Sequence, residues 1–335
     1  MSGALEQLLR QRDAAVPAPT QATTSGRSLR PAVSLIAVLA ALTLGGGAVT
    51  PGFLAGDNLR LILLSTAITG VVAVAMTPIT MSGNFVSLAS SQTAMLGAVL
   101  FAGLVAAGWH YLVAALVVLA ALALLGALEG LVVSIGLNTL ITTLAVGAIV
   151  YGAVSERTHG DDVVFTGRTP GWLRNGQLLG LPTAIYVMLA VTVVVTALVH
   201  LTVRGRWTVL VGANTATARL SGVPVRAVIV ASFVVAAVGA GLAGIVAASQ
   251  VGTANVQFLP TLTVDAIAAI LIGGTSVAGG HGSPLRTAVG ALVIAMLNNL
   301  LSRHGLAAGP AQAVLGALVL LVVVSLRLLE TREER

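Results

Sequence analysis

Between residues 32 and 327 the chain runs as long apolar stretches separated by short polar ones. Stretches with the roughly 20 apolar residues that a helix needs to cross the hydrocarbon core begin near Ala32, Leu61, Thr93, Tyr111, Thr139, Ala184, Ala227, Val264, Thr287 and Ala311. The pattern predicts an all-α polytopic membrane protein with about ten transmembrane helices, some of them broken or re-entrant. Two stretches are interrupted. ITMSGNFVSLASSQTAMLGA (79–98) loses its apolar character in Ser, Asn and Gln and recovers at Met95, and DAIAAILIGGTSVAGGHGSP (265–284) dissolves into glycine. Unpaired backbone amides are not tolerated in hydrocarbon, so non-helical chain at that depth must lie inside protein or against water. Residues 273–283 are therefore expected at a cytoplasmic mouth or in a re-entrant bend, with glycines allowing close approach and Thr/Ser hydroxyls satisfying the freed backbone groups. The two segments restart alike, as Thr93-Ala94 and Thr287-Ala288. Paired interruptions in two halves of a membrane protein point to a transport pathway. For Gly97 and Gly290 the expected role is helix packing.

Two connections are long. Residues 155–182 carry Glu156, Asp161, Asp162, three arginines and Trp172, and read either as a plain external connector or as a docking face. His159 beside the acid pair lacks the further ligands that a metal site needs, so no metal is expected. The second connection, 204–226, contains a short capped helix. Asn214 is a good N-cap, Gly222 can close the helix in the left-handed conformation, and Pro224 stops it. The helix would lie crosswise between two spans and show Arg219 and Leu220, either as a structural turn or as a grip for a cytoplasmic motor.

Composition narrows the chemistry. Of 335 residues, 57% are hydrophobic and 8% charged, against roughly half and a quarter in soluble domains, so lipid surrounds the chain. Cysteine is absent, which removes disulfides and thiolate metal ligation. Lysine is absent too, all 17 basic residues being Arg. A phosphate-binding Walker loop needs its Lys, and where Gly274 to Gly279 show the glycine spacing, Gly280 stands at the Lys position. The net charge of +6 follows from the bias that keeps basic residues cytoplasmic and needs no nucleic acid. With the N-terminus inside, Arg60, Arg157, Arg168, Arg174 and Arg303 fall outside and the other twelve arginines, Arg10, Arg12, Arg27, Arg327, Arg332 and Arg335 among them, fall inside. Both termini are thus expected in the cytoplasm: a tail over 1–31, a permease domain over 32–327 and a tail over 328–335. The first segment is no cleavable signal, because a Pro/Ala/Thr/Ser linker precedes the first apolar run. Leu5, Leu8 and Leu9 read as a frayed tail or a short interfacial helix.

Ionisable residues within spans are few. Glu129 is expected to reach the cytoplasmic interface or cap a neighbour, and Asp265 to sit at a helix N-terminus favoured by the dipole. Asn298 and Asn299 should find partners across helices or face a water-filled path.

Residues 265–301, DAIAAILIGGTSVAGGHGSPLRTAVGALVIAMLNNLL, resemble the signature of ribose-type permeases, the membrane subunits of bacterial ABC sugar importers in the branched-chain amino acid/ribose superfamily. GANTATARLSGVPV (212–225) is similar to that family's cytoplasmic G-x-N-x-x-A-x-R-x-S-G-I pattern, and a weaker likeness runs from Asn58 to residue 154. The resemblance implies a dimerising, multi-pass permease of the bacterial inner membrane. Its partners would be an extracytoplasmic solute-binding protein, a cytoplasmic ABC ATPase subunit and a second copy or sister permease. ATP and Mg would belong to the ATPase subunit, leaving no cofactor in this chain and no catalytic set. Carried over by position, Asn214, Arg219, Ser221 and Gly222 belong to the ATPase-coupling element, which Leu220 and Val223 complete. The glycine-rich gate falls at Gly273, Gly274, Thr275, Ser276, Gly279, Gly280 and Gly282. Where the family has G-G-I-D-L-S-V-G-S, this chain has Phe85 at the Asp and Ala89 at a Gly. Glu129 replaces the Asn of G-x-x-N-G, and Thr215 stands where an acid is common. Asn84, Ser87, Ser90 and Gln92 are candidates for the lining of the path, with Phe85 as a constriction and Asn298 and Asn299 further along.

Two other readings compete. A secondary transporter would run on an ion gradient, for which intramembrane acids are scarce. A membrane enzyme would need a catalytic set at one depth, whereas His110, His159, His200, His281 and His304 are scattered.

Overall fold

In the computed structural model, which describes residues 30–165, 169–174, 176–306, 309–314 and 316–317, the apolar stretches are helical where they are described. In chain order these are α1 (Arg30–Val49), α2 (Gly56–Met81), α3 (Ser90–Ala106), α4 (Tyr111–Ser134), α5 (Thr139–Thr158), the single turn α6 (Gly171–Arg174) and α7 (Thr183–Leu201). There follow α8 (Val203–Ala213), α9 (Thr215–Leu220), α10 (Val225–Val251), α11 (Leu262–Ile272) and α12 (Pro284–Arg303). Residues 309–314 and 316–317, where the stretch from Ala311 begins, are helical too. The tail with Leu5, Leu8 and Leu9, the arginines Arg10, Arg12, Arg27, Arg168, Arg327, Arg332 and Arg335, and the tail 328–335 lie outside the described residues.

Among the described residues six helices are long and apolar enough to cross a membrane: α2, α4, α5, α7, α10 and α12. Helix α3 has 17 residues and α11 only 11. At 1.5 Å per residue, α11 covers about 16 Å of a core about 30 Å thick. These two short helices adjoin the interrupted stretches: α3 follows the break over 82–89, and α11 precedes the break over 273–283.

From Val71 to Met81 every residue of α2 is buried, as expected of a helix enclosed on all sides. Helix α10 packs along α4, α2 and α3, and α12 along α2 and α11. Small residues set these distances. A Cβ on Gly126 would lie 2.6 Å from the Phe233 carbonyl oxygen, and one on Gly130 2.7 Å from the Val230 Cα, so this G-x-x-x-G face holds α4 directly on the α10 backbone. Gly97 lies equally close to Gly241, and Gly290 to Ala269. The α4–α10 contact also corrects the expectation for Glu129, which does not reach the interface. It lies between Gly126 and Gly130 on the covered face, 4% exposed, with Oε1 lacking a hydrogen-bond partner.

The long connection 155–182 is strapped to the end of α10. Strand β1 (Val163–Val164) pairs antiparallel with a later strand, Thr253–Ala254, which follows α10. Phe165 N–H donates to the Gly252 carbonyl at 3.0 Å, and the Asn255 amide donates to Asp162 at 2.7 Å. Asp162 is thereby engaged in a structural hydrogen bond.

Candidate functional site

The short helix α9 forms from its local signals. The Asn214 side chain accepts from Thr217 N–H at 3.0 Å. At the other end Gly222 has φ +76°, its N–H donates to the Arg219 carbonyl, and Val223 N–H donates to the Ala218 carbonyl. Only a residue free to take positive φ closes a helix in this way without strain. Ala218, Val223 and Val225 point inward, whereas Arg219 and Ser221 are exposed and Leu220 is 90% exposed. The residues before it are not a plain loop. Helix α8 is capped by Thr202, whose hydroxyl accepts from Gly205 N–H at 3.0 Å, and hands over to α9 through Asn214 alone.

At the glycine-rich break, Gly273 N–H, Gly274 N–H and Thr275 N–H all donate back to carbonyls of α11, Ser276 N–H donates to the His281 carbonyl, and Gly280 N–H donates to the Met81 carbonyl at 3.1 Å. The freed backbone groups are thus satisfied mainly by other backbone groups. This corrects the expectation that Thr and Ser hydroxyls do so: the Thr275 hydroxyl, buried, lies 3.4 Å from that of Thr287, which lies 3.2 Å from that of Thr77. Ser283 caps α12 and Pro284 occupies its first turn.

The two breaks and the end of α8 meet at one point. A Cβ on Gly212 would run into the Met81 carbonyl oxygen and lie 2.6 Å from Gly280 N. A Cβ on Gly83 would lie 3.2 Å from the Gly212 Cα, one on Gly279 2.6 Å from the Gly83 Cα, and one on Gly280 3.1 Å from the Ala213 Cα. Backbone therefore bears on backbone here, and a shift of α8 toward the breaks by less than an atomic radius displaces the ends of both broken segments. Gly282 lies beside Met81 and Thr275. Met81, Gly83 and Gly212 were not among the sequence candidates, although Gly212 opens the G-x-N pattern.

The two short helices beside the breaks also meet, at their starts. Ser91 N–H donates to the Thr263 hydroxyl at 2.8 Å, and Thr263 N–H donates to the Ser91 hydroxyl at 2.9 Å. Each residue caps the other's helix, so the N-terminal ends of α3 and α11 share one buried polar contact.

The other path candidates divide into two groups. Asn84 lies within the first break, donating to the Ser82 hydroxyl at 3.1 Å, next to Phe85, which is 38% exposed. Ser87 and Ser90 are buried, and Ser90 donates to the Ser87 carbonyl at 3.0 Å. Gln92 lines a groove of about 350 Å³ between α3 and α5 with Leu88, Leu144, Gly147, Ala148 and Tyr151. Its buried Oε1 has no hydrogen-bond partner. Asn298 and Asn299 stand apart from this group. Asn299 and Asn58 exchange amide hydrogen bonds at 2.9 Å each way, while Asn298 donates to Asp265 at 3.2 Å and Thr261 donates to the same carboxylate at 2.9 Å. Asp265 sits in the first turn of α11. Among the described residues no group of three His, Cys, Asp or Glu side chains could hold a metal ion.

A family described as branched-chain amino acid transport system / permease component matches residues 58–324. The chain is similar to the ribose import permease protein RbsC of Escherichia coli (strain K12), 32% identical over 317 residues that cover 91% of this chain and 98% of that protein. RbsC of Bacillus subtilis (strain 168) is 30% identical over 277 residues, covering 82% and 86%. The autoinducer 2 import system permease protein LsrD of Yersinia enterocolitica is 28% identical over 282 residues, covering 80% and 83%. No solved structure matches the chain.

Proposed function

The chain belongs to the branched-chain amino acid transport system permease family, and on that premise we propose that it is the membrane-spanning subunit of an ATP-binding-cassette importer for a sugar or similar small polar solute. In this reading ten spans cross the bacterial inner membrane and both termini are cytoplasmic. A substrate-binding protein delivers the solute from outside, and ATP and Mg are handled by a separate cytoplasmic subunit. A second copy or a sister permease completes the path. A sugar-like solute is favoured by the relatives named as permeases for ribose and for autoinducer 2.

The observation that carries the mechanism is the contact of Gly212 with Met81 and Gly280. When ATP draws the partner subunits together, they push on the coupling element of Asn214, Arg219, Leu220, Ser221, Gly222 and Val223. Helix α8 transmits that push through Gly212 to the first break at Met81–Gly83 and to the glycine-rich gate of Gly273, Gly274, Thr275, Ser276, Gly279, Gly280 and Gly282. The break ends then move together, and the path changes the side on which it is open. Asn84, Phe85, Ser87, Ser90 and Gln92 form its lining near the gate, and Asn298 and Asn299 lie further along it. Binding energy shifts such an equilibrium only through contacts that differ between the two states, and a rigid backbone junction supplies that difference at both breaks at once.

Isolation from the native membrane in mild detergent tests the reading. Recovery of an ATP-binding subunit and a solute-binding protein with the chain is the expected result, followed by ATP-dependent uptake in proteoliposomes. A chain that emerges alone and transports on a proton or sodium gradient without ATP would overturn it in favour of a secondary transporter.

A further inference from the structure

The surface around α9 is one-signed. Between Asp162 and Asp265 the sequence holds no acidic residue, while Arg204, Arg206, Arg219 and Arg226 fall in that interval. Arg219 and Arg226 are both exposed and line a single cavity of about 530 Å³ with Pro224, Val225 and Ala227. Among the described residues neither guanidinium makes an ion pair. Two guanidiniums facing one recess repel each other, and each offers five N–H donors in a planar fork that suits a carboxylate. The recess floor is apolar, and Leu220 projects beside it, 90% exposed. A positive rim, an apolar floor and a projecting leucine form a surface complementary to an acidic side chain next to an apolar socket.

Resting on the importer reading above, we propose that the ATP-binding subunit inserts a carboxylate between Arg219 and Arg226 while Leu220 enters an apolar socket on that subunit. The carboxylate holds α9 laterally, so the partner's movement is transmitted as a pull as well as a push. Leucine alone gives an apolar contact with no fixed direction, whereas the ion pair fixes its geometry. The ion pair forms at the rim of the contact, where it fixes register and sets salt dependence.

The experiment uses the full-length permease in nanodiscs and the ATP-binding subunit that co-purifies with it, with affinity measured against sodium chloride concentration. Relative to wild type, Arg219→Ala with Arg226→Ala is expected to weaken binding by about tenfold or more and to flatten the salt dependence. Replacing one acidic residue of the ATP-binding subunit with Arg should restore binding to Arg226→Glu. Unchanged affinity and salt slope in the double variant would overturn the inference while leaving the importer reading intact. Failure of the wild-type chain to bind any ATP-binding subunit would instead bring down that reading. Two further results would assign the cavity to other occupants and overturn the inference. One is an effect of the Arg variants confined to discs containing anionic phosphatidylglycerol. The other is a gain in affinity on deleting residues 328–335, whose Glu330, Glu333 and Glu334 would then be the carboxylates that fill it.

Discussion

Near one end of α2 the Met81 carbonyl, Gly212 and Gly280 meet as bare backbone, whereas near the other end Asn58 joins Asn299 of α12 through a pair of side-chain amides. The amide end is supplemented by a contact of 2.9 Å between the Thr50 hydroxyl and His304 Nε2 and by Arg303 donating to the Pro51 carbonyl. Side-chain amides can part and re-form by rotamer changes, so this end can yield without moving a helix. The glycine end has no such slack, and any motion entering it through α8 appears as motion of both broken segments. In the proposed topology, one helix is thus held stiffly on the side of the motor and adjustably on the side where the solute enters.

The comparison breaks first, and most severely, at the stiff end. Gly280→Val adds a branched side chain at φ +79° against Ala213, where strain and overpacking together should cost about 2 to 6 kcal/mol. The expected outcome is a large fall in melting temperature in detergent, with loss of uptake. Gly126→Ala sharpens the comparison, because its contact with Phe233 is tighter still but lies away from the junction. Overpacking of about 1 to 3 kcal/mol should lower the melting temperature while leaving the number of solutes moved per ATP unchanged. Asn214→Ala removes the α9 cap, a loss of about 1 kcal/mol, and should reduce stimulation of the ATPase by substrate without preventing membrane insertion. The smallest effect is expected at the adjustable end. A double-mutant cycle of Asn58→Ala and Asn299→Ala should give a coupling near 0.6 kcal/mol, the average for hydrogen bonds between helices in a membrane.

The elements that were legible in the sequence are those specified by neighbours along the chain. Asn214, Gly222 and Pro224 mark α9 because capping is local, and clustered glycine marks the break at 273–283 because no helix survives it. Helix α8 was missed: its Arg, Gly and Trp residues carry no strong periodicity, and its cap is one threonine. That the two interruptions pack together at Met81–Gly280, and that α3 and α11 meet at their starts through Ser91–Thr263, depends on contacts between residues some 170 to 200 positions apart in the chain, which a linear pattern does not encode. Glu129 was misplaced although the signal was present, since Gly126 and Gly130 flank it as a small-residue packing motif and so mark its face as covered. Asn298 and Asn299 were readable as polar groups needing partners, but not as members of two separate clusters.

The central claim is that Gly212 carries movement from the ATP-binding subunit to both breaks. It is tested most directly by measuring solutes transported per ATP hydrolysed in proteoliposomes containing the complete importer, with Gly212→Ala in place of the wild-type chain. The added methyl cannot fit against the Met81 carbonyl and forces α8 away from the breaks, so ATP hydrolysis should continue while transport per ATP falls by about tenfold or more. An unchanged ratio, with the variant complex assembled and hydrolysing ATP, would contradict the account.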